Sequence, residues 1–236
     1  MSRTGRINYL KKSLGWCLRL FLKLICLFIL LTVVQVAILR YVNPPFTAGT
    51  VWVQIKNKFS TKQEIVPHYY WRPLKDISPS LIKAVMAGED QRFMLHHGFD
   101  FTEMNKAVSD IRLGKRIRGA STITMQAARS LYLWSGRSLL RKGLEAYYTL
   151  LFEGFLTKVR ILELYLNVVD WGTGVIGAEA ASQKYFHRSA ADIDPSQAAG
   201  MAAILPNPHN WSPTKPNNYV RERRDRIIED MEKMHL

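Results

Sequence analysis

Carboxylate, imidazole and aromatic side chains are concentrated in one stretch of the chain, E-D-Q-R-F-M-L-H-H-G-F-D-F, at residues 89–101. Glu89 directly follows an apolar run, and His96 lies seven residues further on, close to a glycine. A carboxyl group among apolar neighbours has a raised pKa, as a general base that works near neutral pH requires. We therefore predict a cleft with Glu89 as a catalytic group, rather than an ordinary acid at a helix end.

A second carboxylate, Glu145, lies within the mostly apolar pattern R-K-G-L-E-A-Y-Y-T-L-L-F-E. A charged group on such a helix needs a partner. Arg141 and Lys142, which precede it, are the candidate partners for an ion pair.

Small and hydroxyl residues at 119–126, G-A-S-T-I-T-M-Q, lead into an apolar helix. Such a helix start offers capping oxygens and free backbone N–H groups, which can bind an anion. Cations beside it would suit a pyrophosphate. The candidates are Arg129, Arg137, Arg141 and Lys142. A solvated basic face is the alternative interpretation.

Residues 20–39 are apolar apart from the charge of Lys23 and a few polar side chains. About 20 such residues cross a bilayer core as a helix. Residues 1–40 hold seven basic and no acidic residues, which places the N-terminus in the cytoplasm by the positive-inside rule. A cleavable signal peptide is the alternative, but its apolar region is shorter and a cleavage site of small residues should follow.

The helical patterns and the apolar segment together predict a mostly helical, all-α protein. A helix should start at Ser78-Pro79, two helices should fill 141–167, and G-T-G-V-I-G should be a glycine loop rather than a dinucleotide site. The predicted organisation is a cytoplasmic N-terminus at 1–17, a transmembrane anchor at 18–40, a juxtamembrane linker at 41–75 and a helical domain at 76–236.

Composition excludes several other classes of function. Half of the net charge of +14 belongs to residues 1–40, which argues against nucleic-acid binding. The two cysteines, Cys17 and Cys26, lie in or beside the apolar segment. The remainder of the chain therefore has no disulfide, no thiol nucleophile and no cysteine-bound metal.

Five blocks in this order resemble the glycosyltransferase family 51 module of bacterial cell-wall synthesis, as in the monofunctional peptidoglycan transglycosylases. Residues 89–101 are similar to the family's E-D-x-x-F-x-x-H-x-G-x-D, and residues 119–133 to its G-x-S-T-I-T-Q-Q-x-x-K-N-L. The others are R-K-G-L-E, K-V-R-I-L-E-L-Y-L-N with its glycine loop, and A-I-L-P-N-P. Met125 replaces the family's first glutamine, while Arg129 replaces a lysine and keeps its charge.

The resemblance implies a lysozyme-like glycosyltransferase domain with a small membrane-associated subdomain, which polymerises lipid II into linear glycan strands. The growing chain would pass from undecaprenyl pyrophosphate to the GlcNAc 4-hydroxyl of lipid II, with inversion. Glu89 would be the general base, and Glu145 would help the pyrophosphate to depart. The implied substrate-binding and pocket residues are Asp90, Phe93, His96, Ser121, Thr122, Gln126, Arg129, Arg137, Arg141 and Lys142.

The implied partners are lipid II, the growing glycan, membrane lipid and proteins of wall synthesis or division, without nucleic acid. The implied location is the bacterial cytoplasmic (inner) membrane, crossed once, with the catalytic domain periplasmic. No cofactor is obligatory and no protein metal site is expected, although Mg²⁺ or Mn²⁺ at the pyrophosphate is compatible with the resemblance. A muramidase-type hydrolase with paired carboxylates and a non-enzymatic wall scaffold remain as alternatives.

Overall fold

Helices make up most of the regular structure. A computed structural model describes residues 3–61, 65–114, 119, 121–134, 136 and 138–234. Within these ranges the α-helices are α1 (Arg3–Ile38), α2 (Ala48–Phe59), α3 (Pro79–Glu89), α4 (Phe101–Arg112), α5 (Ile123–Tyr132), α6 (Leu139–Phe155), α7 (Lys158–Val168), α8 (Ala178–Phe186), α9 (Pro195–Ile204) and α10 (Asn218–Glu232). The strands are β1 (His68–Tyr69), β2 (Asp170–Gly172) and β3 (Val175–Ile176). The predicted all-α class is confirmed.

The chain divides into two compact units, Met1–Val42 and Asn43–Leu236. The first unit contains α1, of which the 24 residues Gly15–Ile38 form a helix long and apolar enough to cross a membrane. This helix is compatible with the single-pass anchor predicted at 18–40.

The core of the second unit is built around α9. The helix consists largely of small residues, and every residue from Ala198 to Ile204 is buried. Helices α3 and α10 pack on it, because alanine and glycine side chains leave room for neighbouring helices to approach. A second group is formed by α5, which packs against α6 and α7. The catalytic candidates lie on these two groups.

Helix α3 follows its predicted pattern. Pro79 occupies the first turn, where its missing N–H costs nothing. Leu81, Val85 and Met86 are buried, and the helix ends at Glu89. Ser78 precedes the helix as expected, but its hydroxyl donates to the carbonyl oxygen of Ile193 at 2.7 Å instead of capping α3. The hydroxyl therefore ties the start of α3 to the segment before α9.

The segment predicted as a linker, 41–75, is largely part of the second unit. Its helix α2 packs against α5, and β1 pairs in parallel with β3. The Arg72 N–H donates to Oδ1 of Asn167 at 2.7 Å, and Nδ2 of Asn167 donates back to the Arg72 carbonyl at 2.8 Å. The second unit thus includes most of the segment 41–75 together with the later helices. The hydrogen bonds that join them link residues far apart in the chain, so no local pattern in the sequence indicates them.

The glycine-rich segment forms a small antiparallel hairpin of β2 and β3 between α7 and α8. Gly177 has a φ of +85°, and a Cβ there would lie 2.6 Å from the carbonyl oxygen of Asn167. Only glycine fits so close to another backbone with this dihedral angle. The spacing of the glycines is therefore explained by the hairpin and its packing, and the predicted glycine segment between two helices is confirmed.

Candidate active site

Glu89 is the last residue of α3, and two other helices hold its carboxylate. Nη2 of Arg223, on α10, donates to Oε1 of Glu89 at 2.9 Å and to the carbonyl oxygen of Gly88 at 2.7 Å. Nε2 of Gln126, on α5, donates to Oε2 at 2.9 Å. The Glu89 side chain is 11% exposed. The carboxylate is therefore fixed in orientation while it keeps limited access to solvent.

Tyr165, on α7, orients Gln126 by donating its hydroxyl to Oε1 of the amide at 3.2 Å. Burial raises the pKa of Tyr165 well above its ordinary value, and the charge of Glu89 acts in the same direction. The hydroxyl thus remains a donor, and the amide nitrogen of Gln126 faces Glu89. Gln126, predicted to contact substrate, is buried and has both ends of its amide engaged inside the protein. Its geometry is that of a residue that positions Glu89.

Burial raises the pKa of Glu89, because loss of solvent penalises the charged form. Arg223, Gln126 and Arg129 lower the pKa, but the effect of burial is larger. The predicted direction of the shift is confirmed. A raised pKa brings a carboxyl group closer to the range in which it can accept and release a proton near neutral pH.

A pocket of about 180 Å³ lies beside Glu89. Its wall includes Asp100 and Glu103 at the start of α4, and Ser121 and Thr122 before α5. The pocket gives a hydroxyl-bearing substrate a polar surface next to the Glu89 carboxylate.

Asp90, which also lines this pocket, forms a buried pair with His96. Nε2 of His96 lies 2.9 Å from Oδ1 and 3.0 Å from Oδ2 of Asp90. Oδ2 also accepts the N–H of Ile123, the first residue of α5, at 3.0 Å. Phe93 is fully buried, with Nζ of Lys158 4.5 Å from its ring centroid. Asp90 thus joins the start of α5 to the end of α3, while His96 pairs with its carboxylate and Phe93 packs against His96.

Thr122 and Ser121 have different environments although both were predicted to contact substrate. Thr122 caps α5 by accepting the N–H of Met125 at 3.2 Å, and its hydroxyl donates to the carbonyl oxygen of Gly98 at 2.6 Å. It is buried, so its hydrogen-bonding capacity is used within the fold. Ser121 is half-buried at the pocket wall and is the better placed of the two for a substrate contact.

Glu145 is fully buried on α6 and pairs with both predicted cations. Oε2 accepts from Nη1 of Arg141 at 2.6 Å, and Oε1 accepts from Nζ of Lys142 at 3.1 Å. Arg141 is buried with it, whereas 49% of the Lys142 side chain is exposed. The predicted ion pair is confirmed, and the two cations lie in the first turn of α6 rather than at the start of α5.

Of the four predicted cations, the three within the described ranges lie on α5 and α6, away from the start of α5. Arg129 lies near the end of α5, where its charge acts on Glu89 and Tyr165. Within the described ranges, no hydrogen bond is formed by its guanidinium. Arg141 and Lys142 belong to α6, with Glu145 between them. Arg137 lies outside the described residues.

Sequence comparison identifies the group to which this architecture corresponds. Residues 56–232 match the family model described as Transglycosylase. The chain belongs to the transglycosylase family. Three curated relatives carry the name "Biosynthetic peptidoglycan transglycosylase". The protein of Xylella fastidiosa (strain 9a5c) is 43% identical over 93% of this chain and 90% of its own length. The corresponding values are 46%, 90% and 91% for Pseudomonas aeruginosa PAO1, and 45%, 87% and 82% for Bdellovibrio bacteriovorus HD100.

In the transglycosylase site, both carboxylate oxygens of Glu145 accept from cations, so a divalent cation there would have to compete with Arg141 and Lys142. Asp90, His96 and Asp100 are grouped closely enough to ligate an ion. However, Asp90 is engaged by His96 and the Ile123 N–H, and Asp100 by Arg92 and two backbone N–H groups of α4. These oxygens are engaged in contacts within the fold, so the group does not fit a resident metal ion.

Two residues of the transglycosylase that hold Glu89 in place were not predicted from the sequence: Arg223, which contacts Glu89 directly, and Tyr165, which acts through Gln126. A signal for Arg223 was present: Val220, Ile227 and Met231 are the buried residues of α10. Arg223 is three residues after the first and four before the second, so it shares their face. An arginine on the buried face of a helix needs an acidic or carbonyl partner, which the sequence could not identify.

Proposed function

We propose that this transglycosylase polymerises lipid II into linear glycan strands, with Glu89 as the general base. The observation that carries the proposal is the placement of Glu89: a carboxylate of raised pKa, held by two donors, at the wall of a polar pocket. An acid–base group must have both a suitable pKa and a fixed position within reach of the proton it removes. Glu89 combines these properties.

In the proposed step, Glu89 removes the proton of the GlcNAc 4-hydroxyl of lipid II. The hydroxyl oxygen forms a bond to the anomeric carbon of the growing chain, and the bond from that carbon to the pyrophosphate oxygen breaks. The electron pair leaves with the undecaprenyl pyrophosphate, and Glu89 later releases its proton to solvent. A single displacement inverts the anomeric carbon and needs no covalent intermediate on the protein.

The first turn of α6 is suited to the pyrophosphate of the donor. Arg141 and Lys142 bring two positive charges to a helix N-terminus, where the backbone also favours an anion. Leu139 and Leu140 next to them are 93% and 70% exposed. A lipid pyrophosphate has a charged group joined to an apolar chain. The cations would bind the charged group, and the exposed leucines would contact the apolar chain.

Glu145 then acts on the leaving group through its neighbours. Its buried carboxylate cannot reach the substrate without breaking two ion pairs. It fixes Arg141 and Lys142 at the start of α6 and balances their charge when no substrate is bound. Arg129, whose charge already acts on Glu89, is a further candidate to contact a phosphate.

The membrane segment fits this substrate, since lipid II and its polymer stay attached to the bilayer. Confinement of enzyme and substrate to one surface raises their effective concentration.

We propose an N-terminus in the cytoplasm and a catalytic domain outside it, on the basis of the charge distribution. A cysteine introduced at Glu229, in a chain lacking Cys17 and Cys26, should react with a membrane-impermeant maleimide added to intact spheroplasts. Labelling only after lysis would contradict this topology.

The activity is tested by incubating the detergent-solubilised protein with labelled lipid II and resolving the products on a gel. Wild-type protein should give a ladder of long glycan, whereas Glu89→Gln should lower the rate by roughly 10²- to 10⁴-fold, the contribution typical of a general base. Circular dichroism and a melting curve should show that the variant is folded.

The same assay separates the alternative functions. Cleavage of preformed glycan without polymer formation would favour the muramidase-type hydrolase. A folded wild-type protein with neither activity would leave the non-enzymatic scaffold. A Glu89→Gln variant that polymerises at the wild-type rate would contradict the role of Glu89 but not the activity.

A further inference from the structure

We propose that Arg223, on the C-terminal helix α10, is a positioning residue that holds Glu89 in its reactive orientation and sets the pH range in which Glu89 works. The proposal deepens the proposed function, since it concerns the same carboxylate. It adds to the site a helix that lies more than 130 residues away from Glu89 in the sequence.

The geometry of Arg223 joins Glu89 to the backbone beneath it. One nitrogen, Nη2, donates to both Oε1 of Glu89 and the carbonyl oxygen of Gly88. The second contact satisfies a carbonyl in the last turn of α3, where the helix itself leaves acceptors without a partner. Because one guanidinium nitrogen holds both groups, the position of the carboxylate is fixed relative to the end of the helix.

Packing holds Arg223 in place. Its side chain is only 20% exposed, and α10 packs against both α3 and α9. Ile227, one turn further along, is buried and would lie 3.1 Å from a Cβ at Gly88. The close packing of α10 against the end of α3 therefore places Arg223 next to Glu89, and its side chain is not a flexible surface side chain.

Arg223 and Arg129 have different relations to Glu89. Arg223 donates directly to the carboxylate, whereas Arg129 acts on it by charge alone among the described contacts. A direct ion pair favours the ionised carboxylate and opposes the effect of burial. Arg223 donates to one carboxylate oxygen and Gln126 to the other, and Glu89 still lines the pocket. Arg129 stays available to an anionic substrate.

The test compares Arg223→Met with Arg223→Lys, and with Arg226→Met as a matched control. Arg226 is exposed on the same helix, and its guanidinium contacts the Glu222 carbonyl. The rate of lipid II polymerisation is measured against pH for each variant, together with KM and the melting temperature. Arg223→Lys serves as the second variant if removal of the charge prevents folding.

The proposal predicts that Arg223→Met moves the midpoint of the acidic limb upward by at least one pH unit, because an adjacent opposite charge lowers a carboxyl pKa by about one to three units. At pH 7, kcat should fall at least tenfold, with partial recovery at alkaline pH and KM changed less than threefold. Arg223→Lys should give a smaller shift, and Arg226→Met none. A purely structural role would lower kcat equally at all pH values, and a role in substrate binding would raise KM. Either result would overturn the proposal.

A direct titration separates this inference from the proposed activity. Protein labelled with ¹³C at glutamate carboxyl carbons is titrated by NMR, with Glu89 assigned from the signal lost in Glu89→Gln. The Glu89 midpoint should be higher in Arg223→Met than in the wild type, even if the protein shows no polymerisation. An unchanged midpoint would refute the role of Arg223 while leaving the function untouched.

Discussion

The two glutamates of the site are held in opposite ways. Glu89 receives its donors from α5 and α10, and the α5 donor is itself oriented by α7. Glu145 receives both of its donors from the first turn of its own helix. Glu89 lies at the wall of a pocket, whereas Glu145 is completely buried. Glu89 is thus held at the pocket wall by residues of other helices. Glu145 is enclosed in the core and paired with two cations of its own helix.

Loss of the two carboxylates should therefore have different effects on the protein. Replacing Glu89 by a neutral residue removes a negative charge that burial disfavours, as the raised pKa of Glu89 shows. Removing the charge of Glu145 leaves Arg141 buried without an acidic partner among the described contacts. The first change should therefore act on the reaction, and the second on the stability of the helix group α5–α7.

The largest effect on stability is expected for Glu145→Gln. An amide cannot balance two cations, and breaking a buried ion pair by removing one partner costs about 3–5 kcal/mol. The melting temperature, followed by tryptophan fluorescence in detergent, should fall by several degrees or more, since about 1 kcal/mol corresponds to 2–4 °C in a domain of this size.

Glu163→Gln is the matched control for this variant, because Glu163 pairs with Arg160 on α7 but is not fully buried. It should lower the melting temperature less. If Glu145→Gln were as stable as the control, Glu145 would not be needed to balance the two cations, and the contrast between the two glutamates would fail.

The local environment of Glu145 was predictable, while that of Glu89 was not. Arg141, Lys142 and Glu145 lie on one helix, so their contacts follow from spacing alone. The helix end at Glu89 and the direction of its pKa shift also followed from the apolar run before it. Its donors Arg223 and Gln126 belong to helices whose packing is decided by the whole core, including the close approach of α10 to Gly88. Gln126 was correctly selected as a site residue, but its task depends on Tyr165, which no local pattern connects to it.

A smaller effect, on the reaction, is expected for Gln126→Leu. The change removes a donor to a buried carboxylate, and a hydrogen bond to a charged group contributes about 1.5–3 kcal/mol. The rate constant of polymerisation should fall roughly 10- to 100-fold, with KM nearly unchanged. Tyr165→Phe should give a smaller loss, because Gln126 remains but its orientation is no longer fixed. The measurement is kcat and KM for lipid II on single variants.

The opposite pattern, a raised KM with an unchanged kcat, would show that Gln126 binds substrate, as its sequence position first indicated. It would also mean that the hydrogen bond to Glu89 is broken when substrate binds. Glu89 would then depend on Arg223 alone for its orientation.

The smallest effect is a pH-dependent gain in stability for Glu89→Gln. Burial raises the pKa of Glu89 in the folded protein above its value in the unfolded chain. Between these two pKa values the folded state binds more protons than the unfolded state, so the free energy of unfolding of the wild type decreases as pH rises. Glutamine does not titrate, so the free energy of unfolding of Glu89→Gln lacks this decrease. The melting temperature of Glu89→Gln relative to wild type should therefore be higher at pH 8 than at pH 4.

Glu229→Gln, on the exposed side of α10, gives the background change caused by removing a surface carboxylate. A relative melting temperature of Glu89→Gln that stays constant or falls between pH 4 and pH 8 would mean that Arg223 and Gln126 outweigh burial. Glu89 would then resemble Glu145 as a carboxylate stabilised by its partners. The expected result would instead show that the buried carboxylate of Glu89 lowers the stability of the folded protein. Such a loss of stability in favour of activity is characteristic of a catalytic group.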